Sequence, residues 1–446
     1  MRKILFISLG CDKNLVDSEE MLGLLATHGY QITDDETCAD VIAINTCCFI
    51  GDAKEESVQT ILEMAEYRKS GSCKVLLVTG CLAQRYQEEI AREIPEVDAI
   101  LGATAAEDIL EALETAWNGD HYEKYEDLSY LPQISAKRIL TTGGHYAYLK
   151  IAEGCDKHCT YCIIPKLRGH YRSVPMERLL AQAEELAREG VRELILVAQE
   201  TTIYGQDLYK EKSLHRLLAQ LCEIPGLLWI RVMYCYPEEL YPQLIDTIRS
   251  QPKICHYLDI PIQHASDRIL KRMGRKTTRG DLEKLIGNLR REIPDIAIRT
   301  TLITGFPGET KEDHQELLDF VRAMEFDRLG VFTYSAEEDT PAASMDGQVL
   351  EEVKEERRAE IMELQQEISM KRGQARVGET LQCLVEGAIP NEGAYVARTY
   401  ADAPDVDGYL FIKTGEALMS GNFVPVQVTG ALEYDLIGEL EDEYAE

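Results

Sequence analysis

Cys155, Cys159 and Cys162 stand in a Cys-x-x-x-Cys-x-x-Cys arrangement. Three thiolates in one short loop can hold three irons of a cubane cluster, whereas a closed cluster takes four cysteines, so one iron is left open to a small molecule. The competing chemistry is a zinc site built from Cys155, His158, Cys159 and Cys162. Four ligands from one loop, with no second knuckle, are unusual for zinc, and the spacing favours the cluster. A second set of cysteines is dispersed. Cys11, Cys47 and Cys81 end the apolar runs of KILFISLGC, DVIAINTCC and KVLLVTGC. One cysteine closing an apolar strand is ordinary core. Three at equivalent places in successive βα units would meet at one edge of a parallel sheet, where open α/β folds bind ligands. The expected product is a second cluster with three protein ligands and an open iron. Cys48 could be a spare ligand, but neighbours on an extended chain point to opposite sides. Cys38, Cys73, Cys222, Cys235, Cys255 and Cys383 follow no cluster spacing and read as structural.

The elements that must position these thiols are visible as hydrophobic patterning. From residue 1 to 117, short β-branched runs apolar throughout alternate with helical segments, which predicts an open parallel α/β sheet buried on both faces. Residues 118–140 have mixed charge and little period and read as a linker. From 141 to 374, strand-like runs recur at AYLKIAEGC, ELILVAQE, LLWIRVMYCY, CHYLDIPIQ, AIRTTLITGF and RLGVFTYS, enough for a full or partial α/β barrel. The first cysteine motif then falls in the loop after the first barrel strand, where such folds place active sites. Ile361, Leu364 and Ile368 share a face of a charged segment that reads as an outer helix trailing the barrel. From 375 to 446, short alternating strands with Gly and Pro turns predict a small antiparallel β-barrel.

Composition narrows the function classes. Of 446 residues 45% are apolar and 28% charged, and 78 acidic residues against 47 basic ones give a formal charge of −31. Such a field opposes nucleic acid and anionic membranes as a whole and attracts basic partners. No run approaches the roughly 20 apolar residues of a membrane span. The N-terminus has a basic start and an apolar run, but Ser8 interrupts it and a charged helical segment follows without a cleavage spacer, so a cytoplasmic location is expected. In a reducing compartment, clustered cysteines among the 13 present serve metal or redox chemistry rather than disulfides.

With Tyr161 before its last cysteine, the central motif closely resembles that of the radical S-adenosylmethionine superfamily. In that superfamily the open iron chelates the amino and carboxylate groups of S-adenosylmethionine, and electron transfer yields an adenosyl radical that abstracts hydrogen. Two triads on two α/β domains followed by a β-barrel resemble the methylthiotransferases along essentially the whole chain. The resemblance implies two 4Fe-4S clusters, S-adenosyl-L-methionine as methyl donor and radical source, a C-terminal TRAM domain, and a one-electron reductant such as flavodoxin or ferredoxin. It also implies that Gln199 lies near the methionine part of the cofactor and that Gly305, Gly308 and Glu309 border its adenosine. As a phosphate loop that glycine run fails, because Lys311 is too close and no Ser or Thr follows it. DIPIQHAS and YSAEEDTPA match family elements too, and His264 could face the pocket. SLGCDKNLVDSE, AEGCDKHCTYCIIPKLRG, QETTIYG and DAPDVDG are similar to the branch that modifies an aspartate of the twelfth protein of the small ribosomal subunit. Asp12 replaces the proline often seen there.

Charge bears on the same choice. From Arg376 onward three basic residues (Arg376, Arg398 and Lys413) stand against fourteen acidic ones. Binding a polyanion needs cationic contacts to phosphate, which such a surface lacks; a basic ribosomal protein would be drawn to it, or the acids merely solubilise. Lys271, Arg272, Arg275, Lys276 and Arg279 pull the other way, as a basic cluster that could contact ribosomal RNA or cap a solvated helix. The remaining alternatives are a transfer-RNA adenosine methylthiotransferase and a non-catalytic zinc or iron–sulfur module. The sulfur donor is not legible.

Overall fold

A computed structural model describes residues 1–133, 137–390 and 392–441 of the chain. The N-terminal sheet contains β1 (Lys3–Ser8), β2 (Gln31–Ile32), β3 (Val41–Thr46), β4 (Val75–Gly80), β5 (Ala99–Leu101) and β6 (Tyr122–Lys124), ordered β2-β1-β3-β4-β5-β6 and parallel throughout. All residues of β3 and β4 are buried. Ile42, Ile44, Leu76 and Val78 face one apolar layer and Val41, Ala43, Val75 and Leu77 the other. Burial on both faces explains why these runs read as continuously apolar. Strand β6 lies inside the stretch 118–140 read as a linker, of which residues 134–136 are outside the described ones. Its Tyr-Glu-Lys sequence, half exposed at the sheet edge, offers no apolar pattern to detect.

The central domain contains β7 (Tyr146–Lys150), β8 (Ala152–Glu153), β9 (Arg172–Ser173), β10 (Glu193–Val197), β11 (Trp229–Val232), β12 (Ile254–Asp259), β13 (Ala297–Thr304) and β14 (Arg328–Thr333). Six of these form a parallel sheet ordered β14-β13-β12-β11-β10-β7, an open partial barrel. Strands β8 and β9 pair antiparallel and close the cysteine loop between them. One face of the sheet packs on the barrel's helices. The other, including Tyr146, Tyr148, Ile195, Trp229 and Tyr257, is shared with Val16 of the N-terminal domain and Leu384, Ala401 and Ala403 of the C-terminal one. The 25-residue helix Glu351–Ala375 buries Ile361, Gln365 and Ile368.

The C-terminal strands β15 (Thr380–Ile389), β16 (Ala394–Thr399), β17 (Leu410–Lys413), β18 (Phe423–Ala431) and β19 (Leu436–Leu440) close into a barrel ordered β15-β16-β17-β19-β18. All neighbours are antiparallel except β17 and β19, which run parallel. An odd number of strands in a closed ring cannot alternate direction all the way round, so one parallel pair is unavoidable. Among the described residues no helix is long and apolar enough to cross a membrane.

Candidate functional site

The sheet order turns the dispersed cysteines into neighbours. Strands β1, β3 and β4 are adjacent, with Ser8 paired to Asn45 and Thr46 paired to Gly80. Cys11, Cys47 and Cys81 follow at the same C-terminal edge. Gly10 adopts a left-handed φ of +89°, and a Cβ there would lie 2.5 Å from Cys47 Cβ and 2.9 Å from its Sγ. Only glycine lets these two loops meet. Asn14 ties them together, its Nδ2 donating to Leu9 O and Thr46 O at 3.0 Å each. Ser57 Oγ accepts from Cys47 N at 3.0 Å and donates to Cys47 O at 2.8 Å. Cys47 and Cys81 are buried, and Cys11 is exposed.

The second triad lies at the corresponding edge of the central sheet. Its loop is closed by Cys155 N donating to Gly169 O at 3.1 Å and by Cys162 N donating to Cys159 O at 3.0 Å. Cys155 and Cys159 are buried and Cys162 is half-buried. His158, between them, holds a left-handed φ of 50°, and Tyr234 and Gln263, on loops at the same sheet edge, hold 59° and 69°. Three non-glycine residues in this region at one edge mark backbone held in place by its surroundings.

Burial pushes Cys47, Cys155 and Cys162 up to about 12 and raises Cys81 too. Such thiols ionise when a metal's charge replaces the lost water. Among the described residues no three of His, Cys, Asp and Glu close on a point that would hold a single metal ion. The all-sulfur donor sets of the two triads would suit iron–sulfur clusters, whereas a zinc site of Cys155, His158, Cys159 and Cys162 would draw all four ligands from one loop.

Of the residues expected around the cofactor, Gln199 sits past the end of β10, its Nε2 donating to Glu153 Oε1 at 2.9 Å. Gln199 Oε1 and Glu200 Oε2 are buried acceptors without a hydrogen-bond partner. Unpaired acceptors at a strand end suit a ligand that brings N–H donors. Glu200 is pushed up to about 7 by burial, against hydrogen bonds from Thr202 and the Lys157 ammonium at 3.8 Å. Tyr161 packs edge-on to Phe306, ring centres 6.4 Å apart. Gly305, Gly308 and Glu309 are closely packed by their neighbours. A Cβ on Gly305 would meet Lys354 Cγ at 2.1 Å, and one on Gly308 would meet Arg272 Cζ at 3.2 Å. Glu309 accepts from Phe306 N at 3.0 Å and from Arg357 Nη1 at 3.0 Å, locking the loop onto the trailing helix. His264 is buried and neutral, its Nδ1 accepting from Ala265 N and Ser266 N at 2.9 Å each; burial drops it to about 3.

Residues that sequence reasoning missed surround both triads. Tyr236 Oη lies 3.0 Å from Cys159 Sγ, with the Arg275 guanidinium 4.3 Å above its ring. Arg168 of the central domain is buried against Cys81 of the N-terminal one, 3.3 Å from its sulfur. Arg85 Nη1 pairs with Glu337 at 3.1 Å and Gly51 N donates to Ser335 Oγ at 3.4 Å, clasping the N-terminal sheet edge to the loop after β14. These residues carry no spacing signal, because their partners are distant in sequence. The basic cluster also changes meaning. Arg275 is buried, Arg272 donates to Pro307 O and Asp346 O, and Arg279 pairs with Glu283. Lys271 and Lys276 stay exposed.

Comparison with known proteins agrees with this architecture. The uncharacterized protein family UPF0004 matches residues 3–102, the radical SAM superfamily residues 149–321 and the TRAM domain residues 377–440. A ribosomal protein uS12 methylthiotransferase RimO from Lachnoclostridium phytofermentans is 62% identical over 439 residues, covering 98% of this chain and 100% of that protein. Its counterpart from Acetivibrio thermocellus is 50% identical over 449 residues, 99% of each chain. Among solved structures, the radical S-adenosylmethionine methyltransferase TsrM from Kitasatospora setae, bound to tryptophan and a cofactor analogue, shares the fold at a TM-score of 0.54 and 14% identity, over 87% of this chain and 79% of that one. Similarity of this degree over nearly the full length, on two cysteine triads and a closed C-terminal barrel, means that the chain belongs to the RimO family of ribosomal protein uS12 methylthiotransferases.

Proposed function

We propose that this protein methylthiolates the β-carbon of an aspartate in uS12, the twelfth protein of the small ribosomal subunit, using two 4Fe-4S clusters and S-adenosyl-L-methionine. The observation that carries the reading is the pair of cysteine triads at the C-terminal edges of two parallel sheets joined by buried contacts. When bound, the clusters and S-adenosylmethionine supply hydrogen abstraction from an unactivated carbon, a place to handle the sulfur to be inserted, and the methyl group. Cys155, Cys159 and Cys162 would hold the cluster that meets S-adenosylmethionine; Cys11, Cys47 and Cys81 would hold the other. Gln199 Oε1 and Glu200 Oε2, buried without a hydrogen-bond donor, would accept from the cofactor's ammonium. Tyr236 stands against Cys159 of the central triad, and Tyr161 packs on Phe306 beside it. No side chain is assigned as general acid or base, because hydrogen abstraction needs none.

The C-terminal barrel supports a basic partner more strongly than its composition alone. Of its three basic residues Arg398 is buried and Arg376 lies 5.3 Å over the Tyr400 ring, leaving Lys413 exposed. Among its acids, Glu386, Asp402 and Asp407 are engaged by the central domain, while Asp442, Glu443 and Glu446 lie outside the described residues. The exposed acids that remain, including Glu379, Glu392, Glu416 and Glu433, oppose phosphate and favour a cationic protein. Any ribosomal RNA contact would rest on Lys271 and Lys276. A one-electron reductant of the flavodoxin or ferredoxin class is required.

The test is an anaerobic turnover of reconstituted enzyme with S-adenosylmethionine and reductant, given unmodified uS12 and unmodified transfer RNA together, with both analysed by mass spectrometry. A methylthio mass gain on an aspartate-containing peptide, with the RNA unchanged, is expected. A gain on adenosine instead would overturn the substrate assignment, and no cleavage of S-adenosylmethionine would overturn the activity.

A further inference from the structure

Arg168 ends the short helix Ile164–Arg168, six residues after Cys162, and is 2% exposed. A buried guanidinium needs partners for its whole fork of donors. Nε donates to Cys81 Sγ at 3.3 Å. Nη1 donates to Asp17 Oδ2 at 3.0 Å and Glu153 Oε2 at 3.3 Å, and Nη2 donates to Asn14 Oδ1. Asp17 and Asn14 belong to the N-terminal helix Asp12–Thr27, and Glu153 belongs to β8. Lys150 bonds both carboxylates, reaching Glu153 Oε2 at 2.9 Å. Two cations and two carboxylates therefore balance at the junction of the domains, with the sulfur of Cys81 as the remaining acceptor. Asn14 also bridges the loops bearing Cys11 and Cys47, so one side chain reaches the whole N-terminal triad. Its backbone is fixed from the other side, since the next residue, Gly169, accepts from Cys155 N.

Hydrogen bonds and positive charge at a cluster's sulfurs stabilise its reduced form and raise its potential. We propose that Arg168 is a positioning residue for the N-terminal cluster, holding it against the central triad's loop and raising its reduction potential through the Cys81 sulfur. The inference rests on the two-cluster reading above. It assigns to the central domain a group that acts on the cluster of its neighbour.

The experiment uses the full chain with Cys155, Cys159 and Cys162 all changed to Ala, so that only the N-terminal triad remains. Iron content after anaerobic reconstitution is measured first, then the midpoint potential by redox titration followed by EPR. Arg168→Met is compared with the parent. Arg168→Met/Asp17→Asn keeps the charge balance with Lys150 and Glu153 and covers the case in which the single variant does not fold. Reduction is expected to become at least tenfold less favourable, equivalent to about 59 mV for a one-electron couple. Arg168→Lys, which keeps the charge and loses the fork, should recover part of that shift. In the protein with both triads intact the central cluster should persist in each variant. An unchanged potential in the folded double variant, or loss of both clusters together, overturns the proposal. Failure of the Arg168 parent to take up iron overturns the two-cluster reading itself.

Discussion

At the residue scale the N-terminal site depends on close approach. Gly10→Ala would place a methyl group inside contact distance of Cys47 and force a left-handed φ on a residue that resists it. The expected result is loss of iron from the N-terminal triad with the central cluster retained, and a destabilisation of about 1–3 kcal/mol. Iron analysis and denaturant unfolding of the reconstituted variant measure both. Glu200 belongs to the same scale. Burial holds its carboxyl near 7, so the folded chain keeps this proton in a range where the unfolded chain has lost it. A carboxyl raised in this way makes stability fall as pH rises from about 4.5 to 7. Glu200→Gln, neutral at every pH, should flatten that part of the stability curve in urea melts across the range. An unchanged slope would remove Glu200 as its source.

At the element scale each triad belongs to one sheet edge, and the two should fail separately. Cys159→Ala removes one ligand of the central loop and leaves the β1, β3 and β4 ends untouched. S-adenosylmethionine cleavage should vanish while about half the iron remains, read by iron assay and by release of deoxyadenosine. Loss of all iron would mean that the two edges do not assemble independently. The sequence segments DIPIQHAS and YSAEEDTPA also find their physical meaning here. Asp259 accepts from Tyr234 N at 3.0 Å and pairs with Arg299 at 2.8 Å, fixing the β11 and β12 ends. Ser335 and Glu337 belong to the clasp on the N-terminal domain. These segments position the site by joining elements.

At the scale of the whole molecule, buried ion pairs dock the C-terminal barrel onto the central sheet. Arg398 pairs with Glu193 at 2.6 Å and with Glu386, Arg328 pairs with Asp402, and His145 Nε2 lies 2.7 Å from Glu386. Arg398→Met would leave Glu193 to Arg231 and Glu386 to His145, costing about 1.5–3 kcal/mol for the lost charged hydrogen bonds and exposing the junction near residue 375 to limited proteolysis. The pH response has a definite sign. Glu193 and Asp402 are buried and Glu386 is half-buried, yet their Arg and His partners hold them below their ordinary values of 4.5 and 3.8. Carboxylates lowered in this way stabilise the docked state above those values, and the stabilisation is lost as pH falls through the lowered ones. Asp407 opposes this trend, raised by burial despite Arg299 and Arg328. With three groups against one, acidification below about pH 4 should release the barrel. Arg398→Met should move that transition to higher pH, measured by proteolysis across an acid series.

The sequence by itself determined what local pattern encodes. The Cys155–Cys162 loop is a contiguous ligand set, strands buried on both faces spell themselves as unbroken apolar runs, and cysteines repeated at strand ends announce a shared edge. Glycine turns and alternation likewise foretold a small barrel, though its parallel β17–β19 pair follows only from closing five strands. What tertiary structure alone decided depends on partners far apart in the chain. The edge strand β6 is recognisable only beside β5. The packing of Gly305 and Glu309 onto the trailing helix is another case, and the basic cluster loses Arg275 to the interior and Arg272 to backbone carbonyls. Arg168 meets Cys81 across 87 residues. Periodicity records which face of an element is buried; it carries no record of which distant charge will meet that face.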